Sequence, residues 1–198
     1  SYKVTLLSGD GIGPEITSVT KKILILISRK YNFEIEFIEM PFGGAAINID
    51  GDPLPDKTLQ ECKNCDAVLL AAIGDPKYDQ LPREKRPETG LLKLRSSLDL
   101  FANLRPVKIL PPLIKSSSLK EEYVNKVDLI VVRELTGGIY FGEPKGRIKT
   151  ENGERAFNTM TYSSDEINRI SEVAFEIANQ RRKKICSVDK ANVLDVSQ

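Results

Sequence analysis

Apolar positions along this chain recur at two spacings, and the switches between them mark its elements. Residues 4–7 form a short apolar run that ends at Gly9-Asp10-Gly11-Ile12-Gly13. Pro14 then suits a first helical turn, and Ile16, Val19, Ile23 and Ile27 follow at helical spacing. Residues 34–39 alternate charged and apolar side chains and predict a strand near a sheet edge. Turn formers crowd residues 50–55, and Asp56 is placed to cap a helix reaching about Lys63. Residues 67–72 are continuously small or apolar, as in a strand covered on both faces. A loop over 74–87 and a helix over 88–98 complete an α/β alternation.

Past residue 100 the pattern changes, and the chain is expected to divide there into a first domain, 1–100, and a second, 101–198. Residues 103–109 and 129–132 read as strands. The stretch from Gly137 to Thr161 is glycine-rich and polar, with little to fill a core, and predicts a projecting hairpin or arm. A long amphipathic helix opens at Ser164, with Ile167, Ile170, Val173, Ala174 and Ile177 on one face and Glu166 three residues from its cap. Residues 185–188 predict another short strand. Residues 191–198 begin a loop or helix without a terminator, so a longer polypeptide is expected.

Composition narrows the chemistry. A formal charge of +1 favours neither nucleic acid nor a membrane surface, and no apolar run is long enough to span a bilayer. Neither a signal peptide nor a disulfide framework is evident, so a soluble, cytoplasmic protein is expected. Cys62 and Cys65 form a C-x-x-C, but the pair follows a helix and precedes a strand, the reverse of a redox site. A zinc site would need a second ligand pair, and the chain has no histidine. Proton transfer must therefore fall to Tyr, Lys, Asp, Glu or Cys. The glycine turn is G-x-G-x-G rather than G-x-G-x-x-G and lacks a well-placed acid downstream, so by itself it fits a tight turn as well as a phosphate cradle. Arg95, Arg105 and Arg133 stand late in a helix or at strand ends. They would suit a small di- or tricarboxylate if they converged, and surface salt bridges if they did not. Tyr140 and Lys190 read as surface residues when taken alone, and the basic run 181–184 suits a helix C-terminus.

Four segments carry more. The first is Gly9-Asp10-Gly11-Ile12-Gly13-Pro14-Glu15. The second runs from Arg86 to Arg95 and continues with Phe101-Ala102-Asn103-Leu104-Arg105-Pro106. The third runs from Val132 to Gly142 and the fourth from Ser187 to Leu194. In this order they resemble the decarboxylating β-hydroxyacid dehydrogenases, and within them the isopropylmalate branch. The resemblance implies an isopropylmalate dehydrogenase-like two-domain α/β fold, incomplete here, with a projecting β-arm in the second domain. It implies NAD-dependent oxidative decarboxylation of (2R,3S)-3-isopropylmalate to 2-oxoisocaproate in leucine biosynthesis. Related substrates, namely isocitrate, tartrate or homoisocitrate, are the alternatives, as is a non-catalytic dimerisation module if the chain ends at 198.

It also implies roles. Arg95, Arg105 and Arg133 would hold the malate carboxylates. Tyr140 would protonate the enol carbon after decarboxylation, and Lys190 would help remove the hydroxyl proton, serving the neighbouring subunit of a homodimer with a shared site. Leu91 and Leu92 stand where the isocitrate branch carries Ser or Thr and Asn, and with Val193 would meet the isopropyl group. A third carboxylate there would be left unpaired. Ile12, Gly74, Asp75, Glu88 and Asn192 would lie near NAD, although the family more often has glycine where Asp75 stands. Mg2+ or Mn2+ is implied as well, with its ligands downstream of residue 198.

Overall fold

The computed structural model describes residues 1–190 and 192–197, which fall into two compact units, Ser1–Asp99 and Leu100–Gln198. Ala191 and Gln198, the ends of the expected final loop or helix, lie outside the described residues.

The first unit is built on a parallel three-stranded sheet in the order β2 (Ile35–Glu39), β1 (Tyr2–Gly9), β3 (Ala67–Ala72). β1 lies in the middle, with Leu6 beside Leu69 and Leu7 beside Leu70. Successive side chains point to opposite faces, and both Leu6 and Leu7 are fully buried, so both faces of the sheet are covered at its centre. The core gathers Leu7, Phe42, Leu54, Leu59, Cys62 and Leu94 from β1, the connecting loops, α3 (Asp56–Lys63) and α4 (Pro87–Ser97). The edge position expected for residues 34–39 is observed. A short helix, α2 (Gly44–Asp50), was not foreseen, because its sequence Gly-Ala-Ala-Ile-Asn-Ile-Asp is too short to display a helical period.

Helix α1 (Gly13–Tyr31) departs from the simplest reading of its pattern. Its most buried residues are Gly13, Thr17 and Ser28, whereas Val19 and Ile23 are about half exposed (53% and 50%). The helix packs on β1 and β3, its buried residues are small, and Ile16, Val19, Ile23, Leu26 and Ile27 stay exposed. Asp56 is the first residue of α3 rather than its cap. The Pro55 carbonyl accepts the Leu59 N–H at 3.0 Å, and the Asp56 charge sits in the first turn, where the helix dipole favours it.

The second unit is thinner. β4 (Ala102–Lys108) pairs antiparallel with β5 (Asp128–Glu134), joined through a 3-10 turn (Pro111–Ser116) and the one-turn α5 (Glu121–Val124). β6 (Gly146–Thr150) and β7 (Gly153–Phe157) form the expected hairpin, exposed everywhere except at Phe157. α6 (Ser164–Asn179) packs on β5 and begins with a complete capping box, as its sequence indicated. The Ser163 hydroxyl accepts the Glu166 N–H at 3.2 Å, and the Glu166 carboxylate accepts the Ser163 N–H at 2.7 Å. Beyond α6, Arg181 donates to Asp128 Oδ1 at 2.8 Å, and Arg182 reaches the same residue. The basic run is thereby tied to the start of β5, and the Arg181 hydrogen bond draws the Asp128 carboxyl below its usual range. The strand expected over 185–188 is absent. Ile185 and Val188 are exposed, and no strand among the described residues pairs with them.

The C-x-x-C pair is structural in its surroundings. Cys62 is buried in the core of the first unit, and burial, reinforced by Cys65, pushes its thiol from 9.0 up to about 11. Alkylation with iodoacetamide at pH 8 should label exposed Cys186 rapidly and spare Cys62 until the protein is unfolded. Because the folded state holds this proton more tightly than the unfolded chain, the Cys62 contribution should weaken the fold as pH rises from about 9 towards 11. Urea titrations across that window, compared with Cys62→Ala, check the sign.

Candidate active site

One buried carboxylate organises the open end of the first unit. Asp10 follows β1, is 6% exposed, and has no cation bonded to its side chain among the hydrogen bonds of the described residues. Its Oδ2 accepts the Gly44 N–H at 2.9 Å and the Gly74 N–H at 3.2 Å, and its Oδ1 accepts the Ala45 N–H at 2.8 Å. The main chain of Asp10 bonds as well, its N–H to the Ala72 carbonyl and its carbonyl to the Gly13 N–H, both at 2.8 Å. Residue 10 therefore joins the ends of β1 and β3 and the starts of α1 and α2. Gly13 is required by close approach, since a Cβ there would overlap the Ser8 carbonyl oxygen. The G-x-G-x-G spacing thus serves a packed strand-to-helix turn.

Four of the positions expected near a cofactor, Ile12, Gly74, Asp75 and Glu88, belong to this unit, and the fifth, Asn192, belongs to the other. Ile12 is 60% exposed at the start of α1. A side chain at Gly11 would begin 3.9 Å from the Gly74 carbonyl oxygen, and one at Gly74 would begin 3.0 Å from Glu88 Oε1. Asp75, the departure from the family pattern, acts locally. Its Oδ1 accepts the Lys77 N–H at 3.1 Å and caps the 3-10 turn Pro76–Tyr78. Along α4, Pro87, Gly90 and Leu94 face inward. Glu88, Leu92 and Arg95 follow each other at helical spacing along a different stripe, so they share one side. Leu91 lies between the two stripes and packs against the core, so it is already partly taken up by the first unit.

In the second unit the β-ladder assembles what the sequence left open. Asn103 pairs with Arg133 and Arg105 with Val131, so Arg105 and Arg133 project from the same face, one step apart on neighbouring strands. The Asn103 carboxamide oxygen accepts the Arg105 Nε–H at 2.7 Å and braces that side chain. Just beyond β5, a 3-10 turn (Gly138–Tyr140) places the half-exposed Tyr140 ring 5.4 Å from the Arg133 guanidinium carbon. Two cations and a phenol thus share one surface. Lys190, Asn192 and Val193 belong to a turn of their own. The Lys190 ammonium donates to Asn192 Oδ1 at 2.8 Å, and the Lys190 carbonyl accepts the Val193 and Leu194 N–H groups. Among the described residues, its hydrogen bonds join it to neither Arg133 nor Tyr140.

Two residues beneath this surface went unread in the sequence, Glu134 and Arg169. They are 35 positions apart, and no local pattern links them. Among the described residues, no three of His, Cys, Asp or Glu gather as a metal-binding group. No helix of the described residues is long and apolar enough to cross a membrane.

A parallel sheet whose strand ends carry a glycine turn is one feature suited to a small-acid dehydrogenase, and a unit that presents paired arginines and a tyrosine is another. The chain belongs to the isocitrate/isopropylmalate dehydrogenase family, whose model matches residues 3–198. More particularly, it is 78% identical over 198 residues to the 3-isopropylmalate dehydrogenase of Prochlorococcus marinus (strain NATL2A), and 66% identical over 197 residues to that of Synechococcus sp. (strain CC9605). Each match takes in the whole of this chain and 55% of the relative, so the chain spans about half the length of the curated relatives it matches. Among solved structures, the isocitrate dehydrogenase from Methylococcus capsulatus superposes on it with a TM-score of 0.80 at 28% identity, covering all of this chain and 53% of its own. The β-decarboxylating dehydrogenase from Thermococcus kodakarensis does so with a TM-score of 0.69 at 27% identity, covering all of this chain and 51% of its own.

Removing the Asp10 carboxylate would strand three amide donors at the mouth of the first unit. Asp10→Ala should cost about 3 kcal/mol or more, since hydrogen bonds to charged groups contribute roughly 1.5–3 kcal/mol each. Asp10→Asn, which keeps one acceptor oxygen, should lose less. Urea denaturation of both variants measures the difference.

Proposed function

We propose that this chain, within a polypeptide of the length its relatives have, takes part in NAD-dependent oxidative decarboxylation of 3-isopropylmalate, a step of leucine synthesis in the cytoplasm. The observation that carries the reading is the shared face of Arg105, Arg133 and Tyr140, found in a chain whose relatives bear that activity in their names. Two guanidinium groups one step apart on a ribbon suit the carboxylates of a malate, each able to bind one bidentately. Arg95, on the outward stripe of α4 with Leu92, is assigned to the same ligand from the first unit. We also assign residues 1–100 and 101–198 to two domains and the active form to a homodimer with a shared site, in which Lys190 serves the neighbouring subunit.

The residues support a balanced sequence of steps. NAD, when bound, would supply the acceptor for the hydride that leaves the hydroxyl-bearing carbon. Ile12, at the mouth of the glycine turn, offers an exposed apolar surface against which a planar ring can rest, and Gly74, Asp75, Glu88 and Asn192 are assigned to the same cofactor. Lys190 takes the hydroxyl proton, and the alcohol becomes a ketone β to a carboxylate. Lys190 is assigned as this base because, in a chain without histidine, a lysine amine is one of the few groups able to take the proton. The bond to that carboxylate then breaks, carbon dioxide leaves, and the electron pair remains as an enolate. The Tyr140 hydroxyl protonates its carbon and yields 2-oxoisocaproate. The described residues do not form a set fitted to Mg2+ or Mn2+, so no step here runs through a metal held by them.

Substrate choice is assigned to Leu91, Leu92 and Val193. Leu92 is the cleaner probe, because Leu91 is also part of the core packing. With the full-length polypeptide, NADH formation should be fastest with isopropylmalate, and well below it with isocitrate, tartrate and homoisocitrate. Leu92→Ser should lower kcat/KM for isopropylmalate about 10- to 100-fold, the range expected for one or two apolar groups in a pocket. A wild-type preference for isocitrate would overturn the assignment.

A further inference from the structure

Glu134 and Arg169 form a largely enclosed ion pair in the second unit. Glu134 ends β5, directly after Arg133, and its side chain is only 8% exposed. Its Oε1 accepts from Arg169 Nη2 at 2.6 Å and from the Thr136 hydroxyl at 3.0 Å, while its Oε2 accepts the Gly137 N–H at 2.6 Å. Arg169 rises from α6, reaches the Thr136 hydroxyl oxygen at 2.6 Å as well, and lies over the Phe101 ring at 4.6 Å. A carboxylate this buried is expensive unless paired and fully hydrogen-bonded, and this one is both.

The pair surrounds the turn that carries Tyr140. The Gly137 N–H is held by Glu134, and the next N–H, that of Gly138, donates to the Thr161 carbonyl at 2.9 Å. Gly138 adopts φ +73° and lies against the Tyr162 hydroxyl, so no other residue fits its place without strain. The turn then closes with the Phe141 and Gly142 N–H groups on the Gly138 carbonyl. The direction in which Tyr140 leaves the turn is therefore set by bonds that begin at Glu134, and Glu134 is held in its rotamer by Arg169.

We propose that Arg169 is a positioning residue. Acting through Glu134, it fixes the turn at 137–140 and thereby the place of the Tyr140 hydroxyl beside Arg133. This inference rests on the assignment of Tyr140 as the proton donor. Neither Arg169 nor Glu134 touches the substrate in this account.

The test uses the full-length enzyme and a double-mutant cycle. Arg169→Met should lower kcat for isopropylmalate about 100-fold, the scale of an ångström-sized misplacement, while KM changes less than about 3-fold. Arg169→Lys, which restores the charge but not the planar fork, should recover part of the loss. The double variant Arg169→Met/Tyr140→Phe should be no slower than Tyr140→Phe alone, because the two changes act on one group. Losses that multiply in the double variant would overturn the proposal. Should Arg169→Met fail to fold, Thr136→Val removes a neutral member of the same network and should give a smaller loss with the same masking by Tyr140→Phe. If the wild type does not oxidise isopropylmalate, the functional reading fails, and amide hydrogen exchange still decides the positioning claim. Faster exchange at Gly137 and Gly138 in Arg169→Met or Thr136→Val supports it, and unchanged exchange there overturns it.

Discussion

The first unit depends on how a single carboxylate is accommodated away from water. Asp10 is buried, and its hydrogen bonds come from three backbone N–H groups supplied by two separate segments. Such an arrangement stabilises the charge through oriented dipoles rather than through a counterion, and it works only if all three amides are in place together. Fixing them also fixes where β1 and β3 end and where α1 and α2 begin. The open strand ends, to which the cofactor is assigned, are thus defined by an interaction that does not itself face the ligand. The cost of desolvating Asp10 is what makes the arrangement unique, since a slipped turn would leave a charge unpaired.

The second unit meets the same constraint by a different route. Its apolar core is thin, with much of β4 and β5 exposed, so packing alone fixes its loops weakly. Polar bonds hold them instead. Glu134 and Arg169 tie α6 to the end of β5, and Asp128 with Arg181 ties the far end of α6 to the start of the same strand. The two ion pairs differ in weight. The Asp128 pair is exposed and contributes little beyond orientation, whereas Glu134 is enclosed and satisfied on both oxygens.

Much of this was legible in the residues, and what was not has physical causes. The α/β alternation, the tight glycine turn, the arm and the Ser163–Glu166 capping box are local features, set by spacing within a few residues. The convergence of Arg105 and Arg133 was undecidable from spacing, because it depends on the register between two strands separated by about twenty residues. Asp10 looked like one more turn residue, since nothing local reveals that its side chain is buried. The apolar stripe of α1 suggested a core-facing surface, yet the residues the helix buries are Gly13, Thr17 and Ser28. Close approach to a strand selects small residues, and hydrophobicity alone does not reveal which face that will be. Residues 185–188 have strand composition but no neighbour to pair with among the described residues. A strand is a property of two segments, not one.

The proposed function makes these two units part of an enzyme that oxidises 3-isopropylmalate and then decarboxylates the product. The most direct measurement follows products in deuterated water with the full-length polypeptide, counting NADH and carbon dioxide and locating deuterium by NMR. The account predicts equal amounts of NADH and carbon dioxide, with a single deuterium delivered to one face of the carbon that lost its carboxylate. NADH formed without carbon dioxide, or deuterium delivered to both faces from the first turnovers, would contradict it.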